Sequence, residues 1–183
     1  MYDFAQSFRE NTDLTTVKNV LDYTSKIAGD FSLPIEEMKF GGTEKEILGR
    51  GTDWCADMAR VSVVLFMCLG ISARIIYLAN TEKAYNGHVI AEAFYEGKYG
   101  VIDPIYGYFF YDRKPLDAYI IMNETKYLKD YDDEYRGLFK KIAICEYNPL
   151  DAENDYSVSG INDYYRILLN NNHDGKWLLG ENQ

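Results

Sequence analysis

The fold is decided by residues 51–74, which read GTDWCADMARVSVVLFMCLGISAR. From Trp54 to Leu69 the apolar residues occupy every side of a helix rather than one stripe, which is typical of a buried helix. Gly70 follows directly, and glycine commonly ends helices. The β-branched and aromatic residues over 71–79 then predict a strand. Cys55 therefore opens a buried helix that leads into a sheet.

On the N-terminal side of this stretch, the sequence predicts two further helices. Apolar residues near helical spacing predict a first helix over residues 13–28, with a cap at residue 12 or 13 and Gly29 at its end. Thr43 followed by Glu46 fits a capping box, which predicts a short helix that ends near residue 48.

On the C-terminal side, the pattern changes to consecutive strands. A polar loop over residues 80–87 precedes strands over 88–95 and 98–102, which flank a two-residue turn at Glu96 and Gly97. The remaining predictions are an aromatic strand over 106–111, helices over 116–130 and 161–170, a strand over 140–146 and an acidic loop over 151–159. This order predicts a single α+β domain over residues 1–183, with a helix packed on an antiparallel sheet and extra helices at both ends.

Composition excludes several classes of function. The 183-residue chain has a net charge of -10 and no cationic stripe of the kind that binds nucleic acid or an anionic membrane surface. Three widely spaced cysteines and two histidines form neither a disulfide framework nor a structural zinc site, so we predict no cofactor and no metal. No apolar run suits a signal peptide or a membrane span, which predicts a cytoplasmic protein.

The position of Cys55 suits a nucleophile. The positive end of the helix dipole favours the thiolate, which is the reactive form of cysteine. Unpaired N–H groups in the first helical turn can bind the oxyanion that forms when a thiolate attacks a carbonyl. The alternative is a buried, inert cysteine, which is the interpretation that we keep for Cys68 and Cys145.

The predicted hairpin places a histidine beside a carboxylate. With Tyr95 paired to Lys98 across the turn, His88 lies opposite position 105, and Asp103 points to the same face of the sheet. The two side chains are then diagonal cross-strand neighbours. A carboxylate in that place fixes the tautomer of the imidazole and stabilises the imidazolium. The alternative is a purely structural role for each, at a strand start and in a turn.

Four short motifs follow one another in a defined order along the chain: GTDWC at 51–55, LGISAR at 69–74, GHVIAE at 87–92 and VIDP at 101–104. This ordered set resembles the transglutaminase-like core of the papain-like cysteine enzyme superfamily, which includes transglutaminases, peptide N-glycanases and bacterial cysteine proteases. The resemblance covers about residues 49–107. Ile90 stands where the family often has an aromatic residue, and Ile105 stands where it often has threonine.

The resemblance implies a catalytic triad and a set of neighbouring substrate contacts. Cys55 would be the nucleophile and would also supply a backbone N–H to the oxyanion. His88 would be the general base and then the general acid, and Asp103 would orient it. Oxyanion or substrate-binding roles are further implied for Trp54, Gly87 and Ile90.

Such a triad predicts acyl transfer through a thioester on Cys55. If water resolves the thioester, the enzyme is a peptidase or amidase, which is the outcome that we favour. If an amine resolves it, the enzyme is a transglutaminase or acyltransferase. The expected substrate is a peptide, a protein or a small amide. The alternative is a non-catalytic binding module that retains the transglutaminase-like fold.

Overall fold

A computed structural model describes residues 1–27, 40–78, 87–145, 155–156 and 176–179. The helices are α1 (Tyr2–Gln6), α2 (Asp13–Thr24), α3 (Glu44–Arg50), α4 (Cys55–Cys68), α5 (Ala118–Asn123) and α6 (Asp133–Leu138), with a 3₁₀ helix over Thr125–Leu128. The strands are β1 (Phe40–Gly41), β2 (Ala73–Leu78), β3 (His88–Tyr95), β4 (Lys98–Asp103), β5 (Tyr108–Phe109), β6 (Lys141–Cys145), β7 (Asp155–Tyr156) and β8 (Lys176–Leu179). The predicted helix over 161–170 and most of the predicted loop over 80–87 lie outside the described residues.

The helix α2 begins where the sequence predicts and ends earlier. Thr12 caps its N-terminus and accepts a hydrogen bond from the Thr15 N–H at 3.1 Å. At the other end, the Thr24 hydroxyl donates to the Val20 carbonyl at 3.0 Å, and the helix stops there rather than at residue 28.

A glycine with positive φ follows the C-terminus of both α3 and α4. The predicted capping box of Thr43 and Glu46 opens α3, which continues two residues beyond the predicted end and stops at Gly51, with φ 77°. The helix α4 ends in a Schellman motif, in which the Ile71 N–H reaches the Phe66 carbonyl at 2.9 Å around Gly70, with φ 73°. Both helices thus end near the positions that the sequence predicts, and the glycine that follows each of them has a positive φ, which favours glycine.

Within the described residues, six strands form one antiparallel sheet in the order β5-β4-β3-β2-β6-β8. A separate ladder joins β1 to β7, which lies inside the segment that we predicted to be a loop. The strand β8 was not predicted. The structure is therefore α+β with an antiparallel sheet, as the sequence predicts, but the sheet extends beyond the segment that the motifs cover.

The hairpin between β3 and β4 has the predicted register. Tyr95 pairs with Lys98, and Ala91 pairs with Ile102. Glu96 and Gly97 have φ values of 51° and 78°, so both turn residues adopt the left-handed conformation that a tight hairpin turn of type I′ requires. Because of this register, His88 and Asp103 lie at the same end of the sheet.

Both faces of the sheet are covered by helices. One face packs against the N-terminal helices through a cluster that includes Val89, Ala91 and Phe66. The other face packs against the C-terminal helices through a cluster that includes Ile90 and Ile121. This two-sided cover explains why β3 is buried at nearly every position instead of alternating.

Two predicted elements beyond the hairpin are shorter than expected. The strand predicted over 106–111 is reduced to β5, because the Asp103 carboxylate accepts the Ile105 N–H at 3.0 Å and holds the following residues in a turn. The helix predicted over 116–130 divides into α5 and the 3₁₀ helix at Glu124, whose backbone is not helical. The predicted strand over 140–146 is confirmed as β6.

Candidate active site

Cys55 is the first residue of α4, and its side chain is half-buried. The first backbone hydrogen bond of the helix runs from the Met58 N–H to the Trp54 carbonyl at 3.1 Å. The N–H groups of residues 55–57 thus precede the helical ladder, as at any helix N-terminus. The structure places the thiol and these donors at the same helix end, as the sequence predicts.

A buried carboxylate fixes the loop that precedes Cys55. Asp57 is 1% exposed and accepts hydrogen bonds from the Gly41 N–H at 3.0 Å, from Arg50 at 2.9 Å and from the Thr52 hydroxyl at 3.2 Å. Burial raises the pKa of Asp57, while these donors act in the opposite direction. The Thr52 hydroxyl in turn accepts the Trp54 N–H at 3.1 Å. Residues 51–54 are therefore tied to the first turn of α4.

His88 and Asp103 are hydrogen-bonded to each other. His88 opens β3, Asp103 ends β4, and the imidazole Nε2 lies 2.7 Å from the carboxylate Oδ2. Both side chains are buried, at 2% and 0% exposure. The diagonal cross-strand placement that the hairpin register predicts is thus realised as a direct contact.

The same imidazole is coupled to Cys55. Burial alone would lower the pKa of His88, but the charge and the hydrogen bond of Asp103, together with a smaller contribution from the nearby Cys55 side chain, raise it to about 10. The imidazole therefore has the Asp103 carboxylate as its direct partner and Cys55 as a neighbour. At neutral pH these partners favour the imidazolium form.

The Asp103 carboxylate has a further partner that the sequence did not reveal. The Tyr131 hydroxyl donates to Oδ2 at 2.5 Å, while Oδ1 accepts the Ile105 and Tyr106 N–H groups at 3.0 and 3.4 Å. Tyr131 is 28 positions from Asp103 and lies outside all of the motifs. Sequence patterns carry no signal for it, because its contact depends on how the C-terminal segment folds back onto the sheet.

A cleft of about 400 Å³ opens at the Cys55 and His88 side chains. Its lining consists of Asp53, Trp54, Cys55, Gly87, His88, Ile105, Glu134, Tyr135 and Leu138. Trp54 and Gly87, for which the resemblance implies substrate contacts, are among these lining residues. The contributions of α6, which are Glu134, Tyr135 and Leu138, were missed, because that helix was not predicted.

The prediction for Ile90 is wrong. Its side chain is 0% exposed and packs in the cluster on the C-terminal side of the sheet, with Ile76 and Val101 among its members. It does not line the cleft. The motif position two residues after His88 therefore serves packing in this chain, because the C-terminal helices cover that face of β3.

Two aromatic rings surround the imidazole. Tyr106 and Tyr135 meet the His88 ring edge-on, with ring centroids 6.0 and 5.2 Å away. Their contacts restrict the orientation of the imidazole and remove water from around it.

Arg74, from the motif between the cysteine and the histidine, lies in a separate structural network. Its guanidinium is 2.6 Å from the buried Glu92 carboxylate and stacks over the Tyr99 ring at 3.9 Å. It does not line the cleft. These contacts give Arg74 a structural role in the sheet.

In the part of the chain that the structure describes, no cluster of three or more His, Cys, Asp or Glu side chains could hold a metal ion. None of the helices described is both long enough and apolar enough to cross a membrane.

No family model matches the chain, and no curated protein is significantly similar to it. A solved structure described as "Crystal structure of a TGase" is similar at 16% sequence identity and a TM-score of 0.41. The match covers 56% of this chain and 29% of the other. A TM-score this low does not establish a common fold, so the chemistry of the cleft has to be argued from its own geometry.

Proposed function

We propose that this protein is a cysteine-dependent acyl-transfer enzyme with a transglutaminase-like core, in which Cys55, His88 and Asp103 form the catalytic triad. The single observation that carries the proposal is the placement of His88. Its imidazole is hydrogen-bonded to the Asp103 carboxylate and lines the same cleft as the Cys55 side chain. Nucleophile, base and orienting carboxylate are the three parts that such a triad requires.

In the proposed acylation step, the Cys55 thiolate sulfur bonds to the carbonyl carbon of an amide. The carbon–nitrogen bond then breaks, and the leaving amine takes its proton from the His88 imidazolium. A thioester on Cys55 and a neutral imidazole remain. N–H groups at the start of α4 are suitably placed to stabilise the oxyanion of the intermediate.

In the proposed deacylation step, His88 removes a proton from the incoming nucleophile. The nucleophile adds to the thioester carbon, and the carbon–sulfur bond breaks to regenerate the thiolate beside the imidazolium. With water the product is a carboxylic acid, and with an amine it is a new amide. We propose hydrolysis of a peptide, protein or small amide as the principal reaction, because the lining residue Glu134 is exposed and water therefore has access to the cleft.

The first experiment measures thiol reactivity without requiring a known substrate. Iodoacetamide alkylation is followed from about pH 4 to about pH 9, and each modified cysteine is located by mass spectrometry. We expect Cys55 to react well below the pH range of an ordinary thiol, near 8.5, and His88→Ala to slow it at least about tenfold at pH 6. Equal rates in wild type and His88→Ala would contradict the proposed triad.

Two matched controls are present in the chain. Cys68 is also free and half-buried, but it is the last residue of α4, at the opposite end of the helix dipole from Cys55. Its alkylation should follow ordinary thiol behaviour. His173→Ala changes the other of the two histidines in the sequence and should leave Cys55 reactivity unchanged.

A second measurement separates hydrolysis, transfer and the alternative of a non-catalytic binding module. Peptide amides are incubated with and without a primary amine, and the products are identified by mass spectrometry. Acid products would support hydrolysis, and new amides would support transfer. If Cys55 is reactive but neither product forms, the binding module is favoured. If products form and Cys55→Ala leaves turnover intact, Cys55 is not the nucleophile and the proposed triad is wrong.

A further inference from the structure

We propose that the Tyr131 hydroxyl tunes the basicity of His88 by donating a hydrogen bond to the carboxylate oxygen that also accepts the imidazole N–H. Tyr131 is thus a positioning residue, which acts through Asp103 and does not touch the substrate. The inference rests on the proposed function insofar as it assigns His88 the role of general base, but its effect on His88 is measurable without catalysis.

The geometry of Asp103 is what carries the inference. Oδ2 lies 2.7 Å from His88 Nε2 and 2.5 Å from the Tyr131 hydroxyl, so two donors share one oxygen. Oδ1 is engaged by the backbone at residues 105 and 106. No rotation of the carboxylate offers His88 an oxygen that is free of other donors. Each additional donor withdraws negative charge, and the imidazolium is therefore stabilised less than it would be by a carboxylate with one donor fewer.

The phenol of Tyr131 is well suited to remain a donor. It is 4% exposed and packs against the rings of Tyr108, Phe110 and Phe139, with the Tyr108 centroid 4.9 Å away. Burial raises the pKa of Tyr131 strongly, and the neighbouring Asp103 charge raises it further. The hydroxyl consequently keeps its proton over the whole range in which the enzyme would work. The catalytic proton moves only between Cys55, His88 and the substrate.

Other titratable groups also surround this pair and define what the test must keep constant. Cys55 comes from α4, Tyr106 from the turn before β5, Tyr108 from β5, and Tyr135 from α6. Charged groups close to them are Asp53 and Glu134 in the cleft and Asp132 near Tyr106. A change of Tyr131 to phenylalanine leaves all of these side chains present.

The test is the titration of His88 in Tyr131→Phe, which retains the packed ring and removes only the hydroxyl. With one donor fewer on Oδ2, the pKa of His88 should rise by about one unit. If Tyr131 merely held Asp103 in place, its loss would loosen the ion pair, and the pKa of His88 would fall. The direction of the shift therefore distinguishes tuning from simple support.

The titration is followed by NMR of ¹³C-labelled histidine from about pH 6 to about pH 11.5, and His173→Gln assigns the two resonances. Tyr108→Phe is the matched control, because Tyr108 belongs to the same cluster of rings. Its hydroxyl donates to the Asp130 carbonyl at 2.9 Å and not to Asp103. A rise in Tyr131→Phe but not in Tyr108→Phe supports the inference. An unchanged or lowered pKa of His88 in Tyr131→Phe overturns it.

If Tyr131→Phe does not fold, 3-fluorotyrosine inserted at position 131 replaces it. Fluorination strengthens the phenol as a donor, so the pKa of His88 should fall, and a rise or no change overturns the inference. Failure of this inference is distinct from failure of the proposed function. If the pKa of His88 shifts as expected but Cys55 alkylates as an ordinary thiol, the role of Tyr131 is supported and the enzyme proposal is rejected. If Cys55 is activated but the pKa of His88 does not shift as expected, the enzyme proposal stands and the role of Tyr131 is rejected.

Discussion

The buried pair of His88 and Asp103 connects the candidate chemistry to the stability of the protein. The folded-state pKa of His88, at about 10, lies above the value of about 6.5 that an unperturbed histidine has in the unfolded chain. A raised folded-state pKa contributes stability that is fully present below about pH 6.5. That contribution is lost as the pH rises through about 10, where His88 gives up its proton in the folded state.

The variant Asp103→Asn tests this linkage. It removes the charge that sustains the imidazolium, so burial should lower the pKa of His88 and the variant should be less stable than wild type at pH 7. The difference in free energy of unfolding between wild type and Asp103→Asn should be smaller at pH 10.5, because His88 is largely neutral in wild type as well at that pH. Urea denaturation at both pH values measures it, with Asp22→Asn as an exposed control whose effect should stay below about 1 kcal/mol. A difference in free energy of unfolding that is the same at both pH values would contradict the raised pKa of His88.

At the scale of the elements, two short turns set the relative positions of Cys55, His88 and Asp103. The glycine at residue 51 lets α3 stop and α4 start at Cys55 within a few residues. The hairpin turn at Glu96 and Gly97 sets the register that brings His88 level with Asp103. Both depend on left-handed backbone conformations, which side chains other than glycine adopt at a cost.

A matched pair of alanine substitutions tests the importance of this turn. Gly97 has φ 78° and open space around it, so Gly97→Ala introduces backbone strain alone and should cost about 1 kcal/mol. Gly137 lies within α6, also with open space, so Gly137→Ala should stabilise the protein by about 0.5–1 kcal/mol. Thermal unfolding of the two variants measures both values. Shifts of the same sign would contradict the conformational explanation.

At the scale of the whole molecule, the cleft lies between the segment that carries the motifs and the C-terminal segment that covers the sheet. Asp53 comes from the first side and Glu134 from the second, and the described residues that line the cleft include no lysine or arginine. The chain as a whole has a net charge of -10. The field at Cys55 should therefore attract cations and repel anions.

Charged thiol reagents measure this field directly. A cationic methanethiosulfonate should modify Cys55 about tenfold faster than an anionic one at low salt, and added salt should reduce the ratio. The double variant Asp53→Asn and Glu134→Gln should bring the two rates closer together. Equal rates for both reagents in wild type, at any salt concentration, would show that the cleft has no electrostatic preference.

The sequence by itself determined the local parts of this protein. Helix caps, glycine stops, the buried helix and the hairpin register depend on residues that are close in the chain, so their short-range physics is readable from the order of amino acids. The same register predicted that His88 and Asp103 would meet, because a two-residue turn leaves little freedom in pairing. The α+β class followed from the order of these elements.

Only the tertiary structure decided which side chains surround Cys55, His88 and Asp103. Ile90 was assigned to the cleft from its motif position, but the C-terminal helices bury it on the other face of the sheet. Tyr131, Glu134 and Tyr135 reach the site across long stretches of chain, through a helix and a turn whose local patterns are weak. Such contacts arise from packing of the two-sided core rather than from any periodicity. This is the physical reason why the sequence predicted the contact of His88 with Asp103 but not the residues that surround it.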